Sequence, residues 1–307
     1  MIAAGAQAWL AAYLFWVGIP IGALFATLVH GLVGGEWGLT LRPALAAMLR
    51  TTPLMALLLI PVLVAAPSIY PWALAGGHGW LSLPFFVGRA IAYVVLWNVI
   101  ALGIRRYRRP DGRLPPGFAW PALIVLFGTT TLAAFDWVMT LEPRWTSTIF
   151  GLLVTTGWVL SALAIAIAAA ARFKPGALLD APARIMLAIV LLWAYLSAVQ
   201  LIVIWESDLS HEIPWYLRRS AGGWGWVALG FALAEFAVPF VLLVWRPARR
   251  SVRLVSFVAV SIAAAHLAEI WWLTLPDLSR GFAWPDPLAA ILIGACVLLV
   301  ARREFAR

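Results

Sequence analysis

The feature that most constrains this chain is the regular return of apolar runs about 20 residues long, split by short connections alternately rich and poor in arginine. A run of that length is what an α-helix needs to cross roughly 30 Å of hydrocarbon. Such runs are predicted near 8–33, 52–72, 84–104, 118–139, 147–171, 183–205, 223–245, 252–275 and 285–301. Inside lipid every backbone N–H and C=O has to find its partner within the segment or within a closed barrel, and the alternating pattern of a barrel is absent. The expected fold is therefore all-α, a polytopic membrane protein of about nine transmembrane helices in two bundles. It is read as a single integral membrane domain over 1–307, with approximate halves 1–139 and 147–307.

Composition agrees, because 64% hydrophobic and 11% charged residues leave too little polar surface to coat a soluble globule of 307 residues. Orientation follows from the basic residues. One set of alternate connections holds Arg42 and Arg50; Arg105, Arg106, Arg108, Arg109 and Arg113; Arg172, Lys174 and Arg184; Arg246, Arg249, Arg250 and Arg253; and the tail Arg302, Arg303 and Arg307. The other set holds only Arg144, Arg218, Arg219 and Arg280. The positive-inside rule then predicts a multi-pass protein with the N-terminus outside and the C-terminus in the cytoplasm. The net charge of +9 reports this asymmetry and not a nucleic-acid surface. Residues 34–50 (GGEWGLTLRPALAAMLR) read as a short helix lying on the inner surface. The tryptophan-rich connections 70–80, 142–145, 205–226 and 271–284 fall on the outer side.

Five ionisable groups lie within the runs: Arg89, Asp136, Glu235, His266 and Glu269. Such residues are costly in a membrane and mark sites or ion pairs. Four of them are expected at one depth near the outer face, with His266 and Glu269 on one helical side, so Arg89, Asp136, His266 and Glu269 are candidates for one outer-leaflet pocket. Arg89 and Asp136 read equally well as a structural pair that fixes helix packing. Glu235, mid-helix and four residues before Pro239, is the candidate for a proton path, since a kink there frees a backbone carbonyl. Glu142, Arg144, Trp145, His211, Glu212, Arg218 and Arg219, in outer connections, are candidates for docking a partner. The lone Cys296 builds no disulfide framework. His30 and His266 sit at opposite ends of the membrane, and no CxxCH motif occurs, so neither haem, iron–sulfur cluster nor other metal is expected.

FDWVMTLEPRWTSTIFG at 135–151, FFVGRAIAYVVLW at 85–97, GGEWGLTLR at 34–42 and DLSHEIPWYLRRSAGGWGW at 208–226 together resemble one family. It is the second quinone-binding-type membrane subunit of alternative complex III, the bacterial quinol:cytochrome c oxidoreductase, related to the membrane subunit of polysulfide reductase. Asp136, Glu142 and Arg144 fall on that family's DWxMSLEP-type corner, with Thr140 in place of serine, and Arg89 falls on its arginine, with Tyr93 one turn later. The resemblance implies a respiratory or photosynthetic electron-transport complex of the bacterial inner membrane, with a sister membrane subunit, an iron–sulfur subunit and multihaem cytochrome c subunits. It implies quinone or quinol as the ligand and proton transfer as the chemistry. Two other roles compete with a quinol or proton pocket: a structural anchor that docks the other subunits, and, less well supported, an independent transporter, which would show inverted repeats.

Overall fold

The computed structural model describes residues 2–173, 176, 178–278 and 281–305, so Lys174, Arg280 and Arg307 of the charge count lie outside the described residues. The protein is all-α, and no strand occurs among the described residues. Eight helices, or helix runs, are long and apolar enough to cross a membrane. They are Ile2–Val33 (α1), Leu83–Tyr107 (α6), Pro116–Trp137 (α7), Phe150–Phe173 (α8), Asp180–Ser207 (α9), Trp224–Ala232 with Val238–Val244 (α11 and α12), Val252–Thr274 (α14) and Pro285–Phe305 (α15). Each matches a predicted run within a few residues.

The ninth crossing is built differently from the expectation. Glu36–Leu49 (α2) and Thr52–Val64 (α3) form one pair bent by 42°, and only together do they have the length of a span. Residues 65–74 break into two single turns, Ala66–Ile69 (α4) and Pro71–Leu74 (α5), each opened by a proline that cannot continue the preceding ladder. The 34–50 stretch forms the expected short helix, and the apolar face of α2 packs against α1, α8, α9 and α15, burying Trp37, Leu41, Leu45 and Met48. An apolar face that suits a lipid surface suits a helical neighbour equally well.

The remaining elements are short. Ile213–Ser220 (α10) caps the bundle end between α9 and α11, and Arg246–Arg250 (α13) links α12 to α14. The centre of the molecule is α1, whose most apolar stretch is 83% buried against 28% for α9. Its main neighbours are α8 and α15, while α8 in turn carries α14, α9 and α7. Gly18 and Gly22 make the α1–α8 seam possible: a Cβ on either would run into Trp158, its ring at Gly18 and its backbone carbonyl at Gly22. In lipid there is little hydrophobic gain in joining helices, so close backbone approach through small residues supplies dispersion contact instead. The seam leaves α3, α6 and α7 on one side of α1, and α9, α11, α12 and α14 beyond α8.

Candidate functional site

The charged groups of the membrane interior form two separate clusters, and no hydrogen bond or ion pair joins them among the described residues. The first joins α6 to α7. Asp136 is fully buried and Arg89 nearly so. The guanidinium grips the carboxylate with two bonds, Nε to Oδ2 and Nη2 to Oδ1, each 2.8 Å. Tyr93 donates its hydroxyl to Oδ2 at 2.8 Å and Trp80 its indole N–H to Oδ1 at 3.0 Å. Arg89 Nη1 donates to the Trp80 carbonyl at 3.0 Å, and the guanidinium lies between the rings of Trp80 and Phe85, 4.1 and 4.4 Å from their centroids. A carboxylate offers about four lone-pair sites, and all four are taken here. Asp136 has no acceptor left for a ligand or a proton, so this cluster is a lock between α6, α7 and the loop before α6.

The second cluster is the opposite case. His266 Nδ1 lies 2.7 Å from Glu269 Oε2 and 3.7 Å from Glu235 Oε1, and Trp193 donates its indole N–H to Glu269 Oε1 at 3.0 Å. All three titratable groups are buried. Neither oxygen of Glu235 receives a hydrogen bond, and His266 Nε2 is likewise without a partner. One imidazole nitrogen and two carboxylate oxygens within 4.8 Å of one another form a set that a proton or a divalent cation could bridge.

Local sequence explains how each group arrives. His266 and Glu269 are one helical turn apart on α14. Glu235 is carried by a π turn, Leu233–Ala237, between α11 and α12. Pro239 has no N–H for the carbonyl four residues back, and the ladder slips into the wider turn instead of the sharp kink expected from sequence. On the facing helix α8 stands Gly157, where a Cβ would lie 2.6 Å from His266 Cε1 and 3.5 Å from Glu269 Oε2. The glycine makes the space the imidazole occupies.

Glu269 also reaches the wall of a cavity of about 1240 Å³ enclosed by α9, α10, α11 and α14. Its lining is largely aliphatic and aromatic, including Trp193, Phe231 and Trp272, with Gln200 and Tyr216 among its polar groups beside Glu269, and Glu206, Asp208 and Arg219 elsewhere in the wall. Gln200 is held by Ser147, whose hydroxyl is 3.1 Å from Gln200 Oε1, and donates to the Tyr216 hydroxyl at 3.5 Å. Ligand pockets are typically about 300–1,000 Å³, apolar, with a few placed polar groups. This one has the room and the character for a planar apolar molecule with polar ends.

The predicted single pocket of Arg89, Asp136, His266 and Glu269 is therefore split: Arg89 and Asp136 stand apart in the saturated lock, while Glu235 joins His266 and Glu269. The docking candidates also divide. Arg219 is 1% exposed, stacks 3.5 Å over the Trp215 ring, and binds Asp277 through both oxygens at 2.6 and 3.0 Å and the Leu273 carbonyl at 2.6 Å. Burial pushes its guanidinium below the ordinary arginine value, and the bond to Asp277 works against that. Trp145 is 1% exposed and stacked on Trp215 with 4.3 Å between centroids. Neither can meet a partner. Arg218 bridges Glu142 at 2.6 Å and Asp277 at 3.3 Å, so these three tie the 135–151 corner to α10. Arg144 and His211 are exposed, with His211 3.9 Å from the half-buried Glu212. Sequence reasoning missed Asp277, Gly157, Trp193, Gln200 and Tyr216.

No protein-family model matches this chain, and no curated protein does either.

Proposed function

We propose that the chain is the integral membrane subunit of a bacterial respiratory quinol:electron-acceptor oxidoreductase of the alternative complex III kind, with its N-terminus outside. Its role is to hold quinol in the α9–α14 cavity and pass protons through Glu269, His266 and Glu235. The observation that carries this reading is the unsatisfied carboxylate–imidazole–carboxylate cluster in the wall of a large apolar cavity. A quinol supplies two electrons and two protons on oxidation. The chain's own residues would supply aromatic walls, polar ends in Gln200 and Tyr216, and an acceptor in Glu269. Two carboxylates and one imidazole reach electroneutrality with two protons among them, which suits an apolar site that handles protons in pairs. Electrons would leave through metal centres of partner subunits.

Quinones quench indole fluorescence, and Trp193 and Trp272 line the cavity. Titrating the detergent-solubilised full chain with a short-chain ubiquinone or menaquinone is expected to quench saturably, with a smaller amplitude in Trp193→Phe. Quenching that never saturates, or is equal in that variant, counts against the site. In the assembled complex, loss of the acceptor in Glu269→Gln should slow quinol turnover by about 10²–10⁴-fold, the usual contribution of a placed acid or base.

The anchor reading draws support from the saturated Arg89–Asp136 lock and the Arg218–Arg219–Asp277 network, which have only structural work to do. It predicts full turnover in a complex carrying Glu269→Gln.

A further inference from the structure

At the other end of the α2, α3 and α6 group lies a second cavity of about 480 Å³, lined by Arg42, Arg50, Arg105 and Arg108 with Ala46 and Leu49. Four guanidiniums converge and no carboxylate lines the space. Arg42, Ala46, Leu49 and Arg50 share one face of α2 and its end, and Arg105 and Arg108 lie one turn apart at the end of α6. Arg42 is held over the cavity by its bond to the Pro110 carbonyl at 2.8 Å. Arg42, Arg105 and Arg108 enter no ion pair among the described residues. Burial pushes the Arg108 guanidinium down from its ordinary value, and the Arg42 charge pushes it the same way. The like charges of Arg42, Arg105 and Arg108 repel one another, and an anion placed among them would turn that repulsion into attraction.

The surface next to this pocket is apolar. On α6, Val95, Val99 and Leu102 recur at helical spacing on the exposed side and lead towards Arg105. On α3, which packs against α6, Leu57, Ile60 and Val64 are exposed in the same way. A cationic pocket with room for phosphates thus opens beside a smooth aliphatic wall.

We propose that this pocket is the headgroup site of an anionic phospholipid, its phosphate oxygens bound by Arg42, Arg50, Arg105 and Arg108 and its acyl chains laid along α3 and α6. Guanidiniums bind phosphate oxygens in pairs with fixed geometry, which a lysine could not do. Four of them match a lipid with two phosphodiesters, of the cardiolipin type, better than a lipid with one. The site is independent of the quinol reading, since none of its residues touches the other cavity.

The test is lipid binding by the detergent-solubilised full chain, followed by native mass spectrometry, with cardiolipin, phosphatidylglycerol, phosphatidylcholine and inorganic pyrophosphate as probes. Expected is cardiolipin tightest, phosphatidylglycerol weaker and phosphatidylcholine weakest. Each arginine near a membrane surface contributes about fivefold, so the double change Arg105→Gln with Arg108→Gln should weaken cardiolipin about 25-fold. Arg246→Gln, an exposed arginine on another loop, should leave it unchanged. Phosphatidylcholine binding as tightly as cardiolipin, or a double variant with unaltered affinity, overturns the proposal. Pyrophosphate binding as tightly as cardiolipin overturns the lipid as the source of the phosphate. The order of lipid preference in the unmutated protein decides the matter even if the double variant fails to fold.

Discussion

Replacing Asp136 with asparagine tests whether the first cluster is a lock or a site. The carboxylate receives four bonds, divided evenly: Oδ1 takes Arg89 Nη2 and Trp80 Nε1, and Oδ2 takes Arg89 Nε and the Tyr93 hydroxyl. In Asp136→Asn one oxygen becomes an NH₂ group that cannot accept. Whichever oxygen is lost, one bond from the guanidinium and one from a neutral donor go with it. Both are bonds to the charged carboxylate, each contributing about 1.5–3 kcal/mol, so the loss comes to about 3–6 kcal/mol. A buried charge stripped of its counterion costs about 3–5 kcal/mol by independent measurement in other proteins, which agrees. The assay is reversible unfolding of the full chain in mixed micelles. The paired apolar change Arg89→Met with Asp136→Leu should recover most of the loss, because a buried ion pair replaced as a unit is close to neutral. A cost below about 1 kcal/mol for Asp136→Asn would refute the reasoning, since that is what a solvent-screened pair would give.

Three further perturbations separate roles elsewhere. Gly157→Ala drives a methyl into His266 and should cost about 1–3 kcal/mol of stability by overpacking, measured by thermal unfolding, while slowing quinol turnover in the assembled complex. Glu235→Gln removes an ionisable group whose oxygens receive no hydrogen bond, so the protein should unfold no more easily than the original, yet proton release per quinol oxidised should fall. Arg219→Ala leaves the buried Asp277 without its bidentate partner and should cost about 3–5 kcal/mol, with α10 becoming sensitive to limited proteolysis ahead of the rest of the chain.

The spans were legible because lipid enforces their length, and eight of the predicted runs reappear as helices or helix runs with ends shifted by a few residues. The ninth was not, because 52–72 is long enough to cross unaided and only the prolines past its first turn, at positions 61, 67 and 71, hint that it does not. What α2 packs against is a tertiary fact that an amphipathic pattern leaves undecided. The site residues divide along the same line. Ionisable residues inside apolar runs announce themselves, so Arg89, Asp136, Glu235, His266 and Glu269 were all marked. Which of them meet depends on helix rotation about α1, and one residue of offset turns a helix face by about 100°. Gly157 and Trp193 look like ordinary members of apolar helices, and Asp277 like an ordinary loop acid; only their neighbours give them meaning.

The two intramembrane clusters differ less in composition than in how completely they are satisfied, and that difference decides what each can do. A buried polar group without a partner costs about 1–3 kcal/mol, more when charged, and lipid offers no water to relieve it. The Arg89–Asp136 cluster avoids that cost by closing every bond, and in doing so loses any capacity to change state. Glu235 and His266 Nε2 receive no hydrogen bond, yet Glu235 lies 3.7 Å from His266, and Glu269 in the same cluster lines a cavity that a molecule can enter. A packing role alone would be filled better by leucine at position 235, with a gain in stability. Open valences of this kind can be filled in use, by a proton, a cation or a ligand, as the proposed function requires. The decisive comparison is Glu235→Leu: equal or greater thermal stability with lost proton-coupled turnover supports a working cluster, whereas greater stability with full turnover would leave the carboxylate without a function.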